Sequence, residues 1–397
     1  MRAGPSQEEI RRHNLGVLLK YVHIHGATSR AELTTALGLN RSTIGALTTD
    51  LTAAGLVAEG ETRETGRAGR PSLVVRPESA RVFAYAASIE VDALRVARIG
   101  LGGKVLGRRD AERPRGLAPA DTVPLLGELI KEMGQEVPGG SLCVGAGLSV
   151  SGMTRQADGV VRPIFAAVVD GEGEKPLAER LAEEIGINKP VAVGKAADLC
   201  ALAEHARGTA VGCDDVIYLH RDVGVDAGII VGGRRLTGYG GHGGEVGHMV
   251  VHPGGRECGC GGRGCWETAI GEYALLHAAG RDVRVVGQAA VLRVVDAAAR
   301  GDASAQLAVR QVGDWLGLGV ANLINVFNPE MVVFGGTLRE VYLAAAAQVR
   351  SRLNGVALAA AREQVRLRTP ALGDDAALIG AAELAFEHLL ADPLTVA

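Results

Sequence analysis

The most informative stretch of the sequence consists of Gly244-Glu245-Val246-Gly247-His248, Cys258-Gly259-Cys260 and Gly264-Cys265-Trp266-Glu267. It brings one imidazole and three thiols into a single short loop, and the glycines between them allow tight backbone turns. Three cysteines and one histidine are a complete tetrahedral set for Zn²⁺ with no position open for a substrate, which is typical of a structural site. The predicted zinc ligands are His248, Cys258, Cys260 and Cys265. The alternative is free cysteines or a disulfide beside an unrelated histidine.

The composition of the 397 residues favours a chain of two or three domains. The hydrophobic fraction of 47% supports sizeable cores, and the formal net charge of −3 excludes a protein that binds nucleic acid over its whole surface. No apolar run is as long as a membrane span, and residues 1–9 contain no apolar signal core. Cys143, Cys200 and Cys213 lack paired spacing, which favours a reduced compartment. We therefore predict a cytoplasmic protein with no membrane partner.

Residues 1–78 are predicted to form a winged helix-turn-helix domain. Apolar spacing predicts helices up to about residue 25, over residues 30–37 and over residues 41–55. Gly26 ends the first helix, Thr28 or Ser29 caps the second with Glu32 completing a capping box, and Asn40 caps the third. Residues 56–59 and 72–75 are predicted as short strands around a polar loop, the wing. The predicted core residues are Leu33, Leu37, Leu39, Ile44 and Leu47.

Two groups of side chains in this domain are predicted to contact DNA. Arg41, Ser42 and Thr43 open the third helix, the position that reaches base edges in the major groove. Arg67 and Arg70 lie on the glycine-flanked wing, which suits the narrow minor groove of A·T-rich DNA. The alternative is a winged helix used for protein contacts, with the arginines merely solvated.

Residues 79–397 are predicted to form a second, α/β domain. Strands and helices alternate in two rounds, which indicates two lobes with a cleft between them and a boundary near residues 200–210. One predicted helix of the second round runs from about residue 266 to residue 278, directly after the zinc loop.

These features together resemble the ROK family, which unites sugar-responsive repressors with sugar kinases. The resemblance covers nearly the whole chain, and Glu245-Val246-Gly247-His248, Cys258-Gly259-Cys260 and Gly264-Cys265-Trp266-Glu267 are its most specific parts. It implies a two-lobed actin-like ATPase fold with zinc near the sugar cleft. The predicted winged helix places the chain with the regulators, because the family's kinases lack that domain.

The kinase motifs that the resemblance implies are missing at three places. The Asp-X-Gly-Gly-Thr phosphate loop is replaced by residues 87–94, which contain no glycine. The second, glycine-rich loop carries Asp222 and Asp226, whose charge would repel ATP. The Asn-Asp pair that supplies the general base is replaced by Lys195-Ala196, and alanine cannot accept a proton. We therefore predict that the protein is not an enzyme.

The sequence keeps some of the family's sugar-binding residues and lacks others. Glu245, His248 and Glu267 match family residues that bond sugar hydroxyls, although the two glutamates could instead serve only as props for the zinc loop. Lys195 could pair with a phosphate or carboxylate of an effector, or could be a solvent-facing lysine in a decayed site. The resemblance implies a repressor of carbohydrate-related genes, controlled by a sugar or sugar phosphate. It would bind a palindromic double-stranded operator as a homodimer or homotetramer. The alternatives are a regulator that uses the second domain only for dimerisation, and an active sugar kinase.

Overall fold

The computed structural model describes residues 6–60, 72–114, 117–151, 153–154, 161–162, 176–221, 224–285 and 287–396. The wing loop lies outside these residues, together with Arg67, Arg70 and Asp222. No helix in the described ranges combines the length and the hydropathy that a membrane crossing requires.

The N-terminal unit contains three helices and a three-stranded antiparallel sheet in the order β1-β3-β2. Its elements are α1 (Gln7–His25), β1 (Thr28–Ser29), α2 (Arg30–Leu37), α3 (Arg41–Ala53), β2 (Val57–Gly60) and β3 (Val74–Pro77). The Ser29 side chain accepts a hydrogen bond from the Glu32 amide, and Asn40 does the same for Thr43. These caps set where α2 and α3 begin, as their sequence predicted. Strand β1 was not predicted, because two residues are too few for a pattern of alternating side chains.

The first large sheet has five strands in the order β10-β7-β4-β5-β6. β7 is parallel to both β4 and β10, whereas β4, β5 and β6 form an antiparallel meander. The strands are β4 (Val82–Ile89), β5 (Ala93–Gly100), β6 (Val105–Glu112), β7 (Leu142–Val150) and β10 (Val191–Lys195), with β8 (Met153–Thr154) and β9 (Val161–Arg162) as a separate pair. The intervening helices are α4 (Val123–Gly134) and α5 (Leu177–Ile185).

The second large sheet has the order β13-β12-β11-β14-β15. The helix α6 (Ala196–Arg207) leads into it and packs against β11, β12 and β10. Its strands are β11 (Val216–Arg221), β12 (Val225–Val231), β13 (Arg234–Arg235), β14 (Met331–Phe334) and β15 (Arg366–Arg368). The helices that follow α6 are α7 (Glu267–Ile270), α8 (Glu272–Ala278), α9 (Gln288–Ala299), α10 (Ala303–Phe327), α11 (Leu338–Val356), α12 (Ala359–Arg362), α13 (Ala376–Ala391) and α14 (Pro393–Val396).

The prediction of one helix over residues 266–278 was wrong. This segment forms two short helices, which are separated at Gly271. This glycine has extended backbone angles, φ −63° and ψ 168°. Glycine is a poor helix former, since its backbone loses the most entropy on ordering. The break lets α7 and α8 take different directions, and so places Glu267 and Glu272 on separate helices.

The helix α13, near the C-terminus, returns to the first sheet, a contact that apolar spacing did not reveal. It packs across β4 and β7, against α6, and against α1 of the N-terminal unit. Two glycines permit the close approach. A Cβ atom at Gly147 would lie 1.8 Å from the Ala381 carbonyl oxygen, and one at Gly380 would lie 1.9 Å from that of Leu199. One continuous apolar core therefore joins the N-terminal unit to the larger domain.

Candidate functional site

Four side chains that could hold a metal ion meet beside β12. Their ligand atoms lie within 4.8 Å of one another, and the residues are His248, Cys258, Cys260 and Cys265. Sγ of Cys258 is 3.6 Å from Nδ1 of His248, and Sγ of Cys260 is 3.7 Å from Sγ of Cys265. Tetrahedral Zn²⁺ with its usual bond lengths requires S–N and S–S separations of about 3.6 and 3.8 Å. The donor set therefore fits zinc, and the 3.7 Å separation is too long for a disulfide.

The loop that carries these four side chains, residues 248–265, is fixed at its two ends by different packing contacts. His248 ends a 3₁₀ turn, Val246–His248, that packs on β12. At the other end the Trp266 side chain is fully buried and its Nε1–H donates to the Trp315 carbonyl in α10 at 2.8 Å. The indole lies over Gly319, where a Cβ atom would approach it to 2.0 Å. Trp266 therefore holds the neighbouring Cys265 in place against α10.

The thiols of this loop are in unequal electrostatic surroundings. Burial raises the pKa of Cys258 and of Cys265. A backbone hydrogen bond from Gly262 lowers the pKa of the exposed Cys260. Zinc binds thiolates, so binding would release the protons that the two buried thiols hold at neutral pH.

Glu267 lies next to the same group. Its Oε1 atom is 2.9 Å from Sγ of Cys258 and 3.7 Å from Nδ1 of His248. The carboxylate is thus close enough to support the metal ligands, and it also lines a cavity of about 490 Å³. This position is compatible with both roles that the sequence left open for Glu267.

Lys195 is buried in a cluster of charges, with only 2% of its surface exposed. Its Nζ atom donates to the carbonyl oxygens of Gly243 at 2.8 Å and Ala227 at 3.3 Å. It also lies 3.6 Å from Oε1 of Glu245 and 3.9 Å from Oδ2 of Asp226. The solvent-facing alternative for Lys195 is therefore wrong, because its charge is neutralised inside the protein.

One further carboxylate, Asp198, completes this charge cluster. Asp198, in the first turn of α6, has its pKa raised to about 7 by burial, while the nearby Lys195 acts to lower it. Both carboxylate oxygens of Glu245 are buried and have no hydrogen-bond partner in the described part of the chain. The cluster therefore holds three carboxylates around one ammonium group, and protonation of Asp198 relieves part of the excess negative charge.

A cavity of about 490 Å³ opens between the two large sheets. The first sheet contributes Glu90 and Arg95, and the second sheet and its helices contribute Arg221, Glu272 and Gly336. Of the side chains that the sequence singled out, Glu267 and Cys258 line the cavity, as does Ala196. Among the described lining residues, Lys195, Glu245 and His248 do not appear.

Arg221 lines this cavity and was not predicted from the sequence. Arg221 follows the apolar run of β11 and is 2% exposed. Its Nε–H donates to Thr337 Oγ1, and one NH1 hydrogen is donated to the Ile270 carbonyl at 2.8 Å. A single arginine at the end of a strand has no spacing signal, and only the return of β14 and α11 shows where it lies.

A candidate DNA interface lies at the start of α3. Arg41 and Ser42 are exposed, and Thr43 is half-buried. The Ser42 hydroxyl donates to Oδ1 of Asn40 at 2.7 Å, and the Thr43 amide donates to the same atom at 2.8 Å. The second helix is tied to the sheet by Arg30, which donates two bonds of 2.6 Å to the carboxylate of Glu59. The first turn of α3 is thus presented on a rigid support.

Comparisons with known proteins give consistent matches. The family model described as the ROK family matches residues 86–388. The xylose repressor of Bacillus subtilis is 25% identical over 388 residues, which cover 97% of this chain and 97% of that protein. The glucokinase of Halalkalibacterium halodurans is 31% identical over 250 residues, covering 60% of this chain and 74% of that protein.

A solved structure described as a ROK family transcriptional regulator, a homologue of the Escherichia coli Mlc protein, has a similar fold. The TM-score is 0.77 at 24% sequence identity, and the superposition covers 96% of this chain and 97% of that chain. The likeness extends through the N-terminal unit as well as the two large sheets. The chain therefore has a mixed α/β fold that is shared along its whole length.

Proposed function

The chain belongs to the ROK family, and from this premise we propose that it is a DNA-binding transcriptional repressor of carbohydrate-related genes. The observation that carries the proposal is the capped, exposed first turn of α3 on an N-terminal unit fused to the family domain. The match to a xylose repressor over 97% of both chains supports it, since that match includes the N-terminal unit.

The N-terminal unit acts in this proposal as a winged helix-turn-helix domain. Arg41, Ser42 and Thr43 read base edges in the major groove, and Arg67 and Arg70 enter the minor groove from the wing. Residues 1–78 form this domain and residues 79–397 form the effector and oligomerisation domain. A homodimer or homotetramer would bind a palindromic operator, because two-fold symmetry in the protein matches two-fold symmetry in DNA. Such a regulator works in the cytoplasm, where the chromosome is.

Zinc is the proposed cofactor, held by His248, Cys258, Cys260 and Cys265. Bound there, it would cross-link the loop and supply folding energy rather than chemistry on a substrate, because all four positions are taken by protein atoms. Glu267 would then be free of the Cys258 proton and could accept hydroxyl hydrogens in the neighbouring cavity.

The protein is a non-enzymatic regulator, and the geometry agrees with that reading. Ala196 lines the cavity where a kinase needs its general base. The ammonium group of Lys195 is bound to carbonyl and carboxylate oxygens within the chain, so it is not positioned on a phosphate of ATP. Removal of a general base alone costs a kinase about 10²–10⁴ in rate.

The effector in this proposal is a sugar or sugar derivative. Glu267 lines the cavity and would accept hydrogen bonds from its hydroxyl groups. Glu245 and His248, which the sequence also predicted to meet these hydroxyl groups, lie outside the cavity lining, where Lys195 holds Glu245. The two carboxylate oxygens of Glu245 are buried without hydrogen-bond partners among the described residues. Both oxygens can therefore still accept hydrogen bonds.

The proposal is tested with the full-length protein and DNA from upstream of its own gene and of neighbouring carbohydrate genes. We expect saturable binding to a palindromic site in a salt-dependent manner, and release by one member of a sugar panel. ATP with hexoses should give no phosphorylated product. Binding with equal affinity to every DNA of the same length would refute a sequence-specific regulator, and steady sugar phosphorylation would refute the non-enzyme reading.

A further inference from the structure

The first turn of α6 carries a buried carboxylate in surroundings that already hold excess negative charge. Asp198 is 7% exposed. The charged side chains that act on it are Lys195, Asp226, Arg235 and Glu245. Arg235 is itself paired with a glutamate of α13, which leaves one ammonium group opposite three carboxylates. Among the described residues these carboxylates are not grouped closely enough to hold a metal ion. A proton is therefore the ion that can balance the excess charge.

Asp198 binds and releases this proton near neutral pH. Burial raises the pKa of its carboxyl group to about 7, whereas Lys195 acts to lower it. Asp226 and Glu245 act in the same direction as burial, because a further negative charge beside them is unfavourable. The carboxyl group is therefore mostly neutral at pH 6 and mostly ionised at pH 8.

The other elements that pack against α6 also carry titratable groups. On α13, the Glu383 carboxylate is bound to His23 and Arg207, and that of Glu387 is bound to Arg235. The remaining titratable side chains of these elements are His388 of α13, Tyr218, His220 and Arg221 of β11, and Cys143 of β7. The charges that act most strongly on Asp198 come instead from β10, β12, β13 and the segment before the 3₁₀ turn.

The contact between α6 and β12 leaves little room to absorb electrostatic repulsion. A Cβ atom at Gly228 in β12 would lie 2.2 Å from the Ala197 carbonyl oxygen in the first turn of α6. Lys195 fastens the same turn, because its Nζ atom donates to the carbonyl oxygens of Gly243 and Ala227. An ionised Asp198 would repel Asp226 of β12 across this contact. Deprotonation therefore favours a conformation in which the first turn of α6 lies further from β12.

The other end of α6 contacts the N-terminal unit. Arg207, nine residues after Asp198, donates to the His23 carbonyl oxygen of α1 at 3.1 Å and to Oε1 of Glu383 at 2.6 Å. Nine residues of α-helix span only about 13 Å, and a helix of this length moves nearly as a rigid body. A movement of the first turn of α6 therefore reaches the base of α1.

We propose that pH regulates operator binding by this protein through Asp198, whose protonated form favours the DNA-binding conformation. The inference rests on the proposed function, because it adds the proton as a regulator of operator binding. With Asp198 protonated, α6 stays packed on β12 and Arg207 stays bound to α1. Ionisation loosens both contacts, so the affinity for the operator falls as the pH rises from 6 to 8. By linkage, the operator-bound protein holds this proton more tightly than the free protein does.

The experiment compares the full-length wild-type protein with Asp198→Asn, which keeps the shape of the side chain and cannot ionise. Fluorescence anisotropy measures the affinity for the operator at pH 6, 7 and 8 and at constant ionic strength. Histidines elsewhere in the chain also change charge in this range, so the difference between the two proteins is the quantity of interest. Between pH 6 and pH 8 the wild type should lose at least about fivefold more affinity than Asp198→Asn, which is the lower end of ordinary allosteric coupling.

Asp314→Asn is the matched control. Asp314 is a half-buried aspartate of α10 that accepts a hydrogen bond from Gln348, and it is not among the charges that act on Asp198. Its pH profile of operator affinity should follow that of the wild type. The same pH profile in the wild type and in Asp198→Asn would overturn the proposal, as would an equal flattening of the profile by Asp314→Asn.

Hydrogen exchange of the α1 amides gives a second measurement, which the wild type alone can provide if Asp198→Asn does not fold. After correction for the intrinsic pH dependence of exchange, protection of α1 should be lower at pH 8 than at pH 6, and protection of α10 should not change. Equal protection of α1 at the two pH values would contradict the proposal.

The two measurements separate this proposal from the proposed function. If the operator is bound with the same pH profile by the wild type and by Asp198→Asn, the proton switch alone fails. If no DNA sequence is preferred at any pH, the proposed function fails. A pH-dependent protection of α1 that is absent from Asp198→Asn would then still establish the switch between α6 and α1.

Discussion

The imidazole of His23 in α1 is hydrogen-bonded to the carboxylate of Glu383 in α13, with 3.0 Å between Nε2 and Oε2. Both side chains are buried. Arg207, the last residue of α6, donates to Oε1 of Glu383 at 2.6 Å and to the carbonyl oxygens of His23 and Gly102. The Gly102 amide in turn donates to Nδ1 of His23 at 2.9 Å. One polar network thus fastens the N-terminal unit to the larger domain.

This network lies at one end of α6, whose other end reaches the cavity between the two large sheets. Ala196 and Cys200 line the cavity, and Arg207 holds the junction with α1. Because a helix moves nearly as a rigid rod, a displacement of its first turn by an effector would shift the base of α1. We expect this junction to couple the cavity to the DNA-binding unit.

Glu383→Gln should loosen that junction. Burial acts to raise the pKa of Glu383, but His23 and Arg207 outweigh it and hold the pKa below its usual value. The carboxylate is therefore ionised at neutral pH, and its removal leaves the Arg207 charge uncompensated in the interior. Breaking a buried charge pair costs about 3–5 kcal/mol. Hydrogen exchange of the α1 amides should accelerate accordingly.

Glu387→Gln is the control for this prediction. Glu387 lies one turn further along α13 and pairs with Arg235 at 2.7 Å, but half of its side chain is exposed. Exposed pairs contribute about 0–1 kcal/mol, so α1 exchange should be unchanged. Equal protection of α1 in both variants would contradict a structural role for the His23–Glu383 contact.

Cys260→Ser should remove the metal. The wild-type protein, purified without chelator, is expected to contain about one zinc per chain, and the variant should contain much less. Losing one of four ligands should also lower the thermal midpoint, because the metal's binding energy is folding energy for the loop. Cys143→Ser, which changes a thiol outside the cluster, should keep its zinc. Elemental analysis that finds no zinc in the wild-type protein would refute the site.

Arg41→Ala should weaken operator binding by about 1–3 kcal/mol and relax the preference at one base position per half-site. The side chain is exposed at the start of α3, so its loss removes a contact without disturbing the core. Fluorescence anisotropy with a set of single-base operator variants measures both effects. Arg284→Ala, at an exposed residue of the second lobe, should bind like the wild type. An equal loss of affinity for all operator variants would instead show that Arg41 contacts a DNA phosphate.

The parts of the fold that depend on local signals were predictable from the sequence. Caps at Ser29 and Asn40 and the apolar runs of β4, β7 and β14 placed those elements within one or two residues. The spacing of His248 and the three cysteines predicted one group of four ligands, and the structure places these four side chains next to one another. In each case the information lies within a few neighbouring residues, so the chain itself specifies the geometry.

The parts that depend on distant contacts were not predictable. The return of α13 to the first sheet needs Gly147 and Gly380 to meet carbonyl groups from other elements, and a single glycine gives no sign of its partner. The burial of Lys195 depends on Asp226 and Glu245, which are far from it in the chain. The surroundings of Arg221 depend on the Gly335–Thr337 turn, which crosses β11 and comes from a distant part of the chain.

The stability of the protein is expected to depend on pH through Asp198. Burial raises the pKa of this carboxyl from an ordinary 3.8 to about 7, although Lys195 acts to lower it. Between those two values the folded chain binds a proton that the unfolded chain has released. Stability therefore falls as the pH rises from about 4 to about 7, and levels off above that. The other charges facing Asp198 are Asp226, Glu245 and Arg235.

Asp198→Asn removes the ionisable group and should stabilise the protein at pH 8 by at least about 1 kcal/mol, since each pKa unit corresponds to about 1.4 kcal/mol. The gain should shrink towards pH 5, where the wild-type carboxyl is already protonated. Urea denaturation at pH 5 and pH 8 measures the difference. Asp282→Asn, at an exposed site whose pKa is lowered by Arg284, is the control and should show no gain at pH 8. A stabilisation by Asp198→Asn that is the same at both pH values would show that packing, and not the buried charge, governs this position.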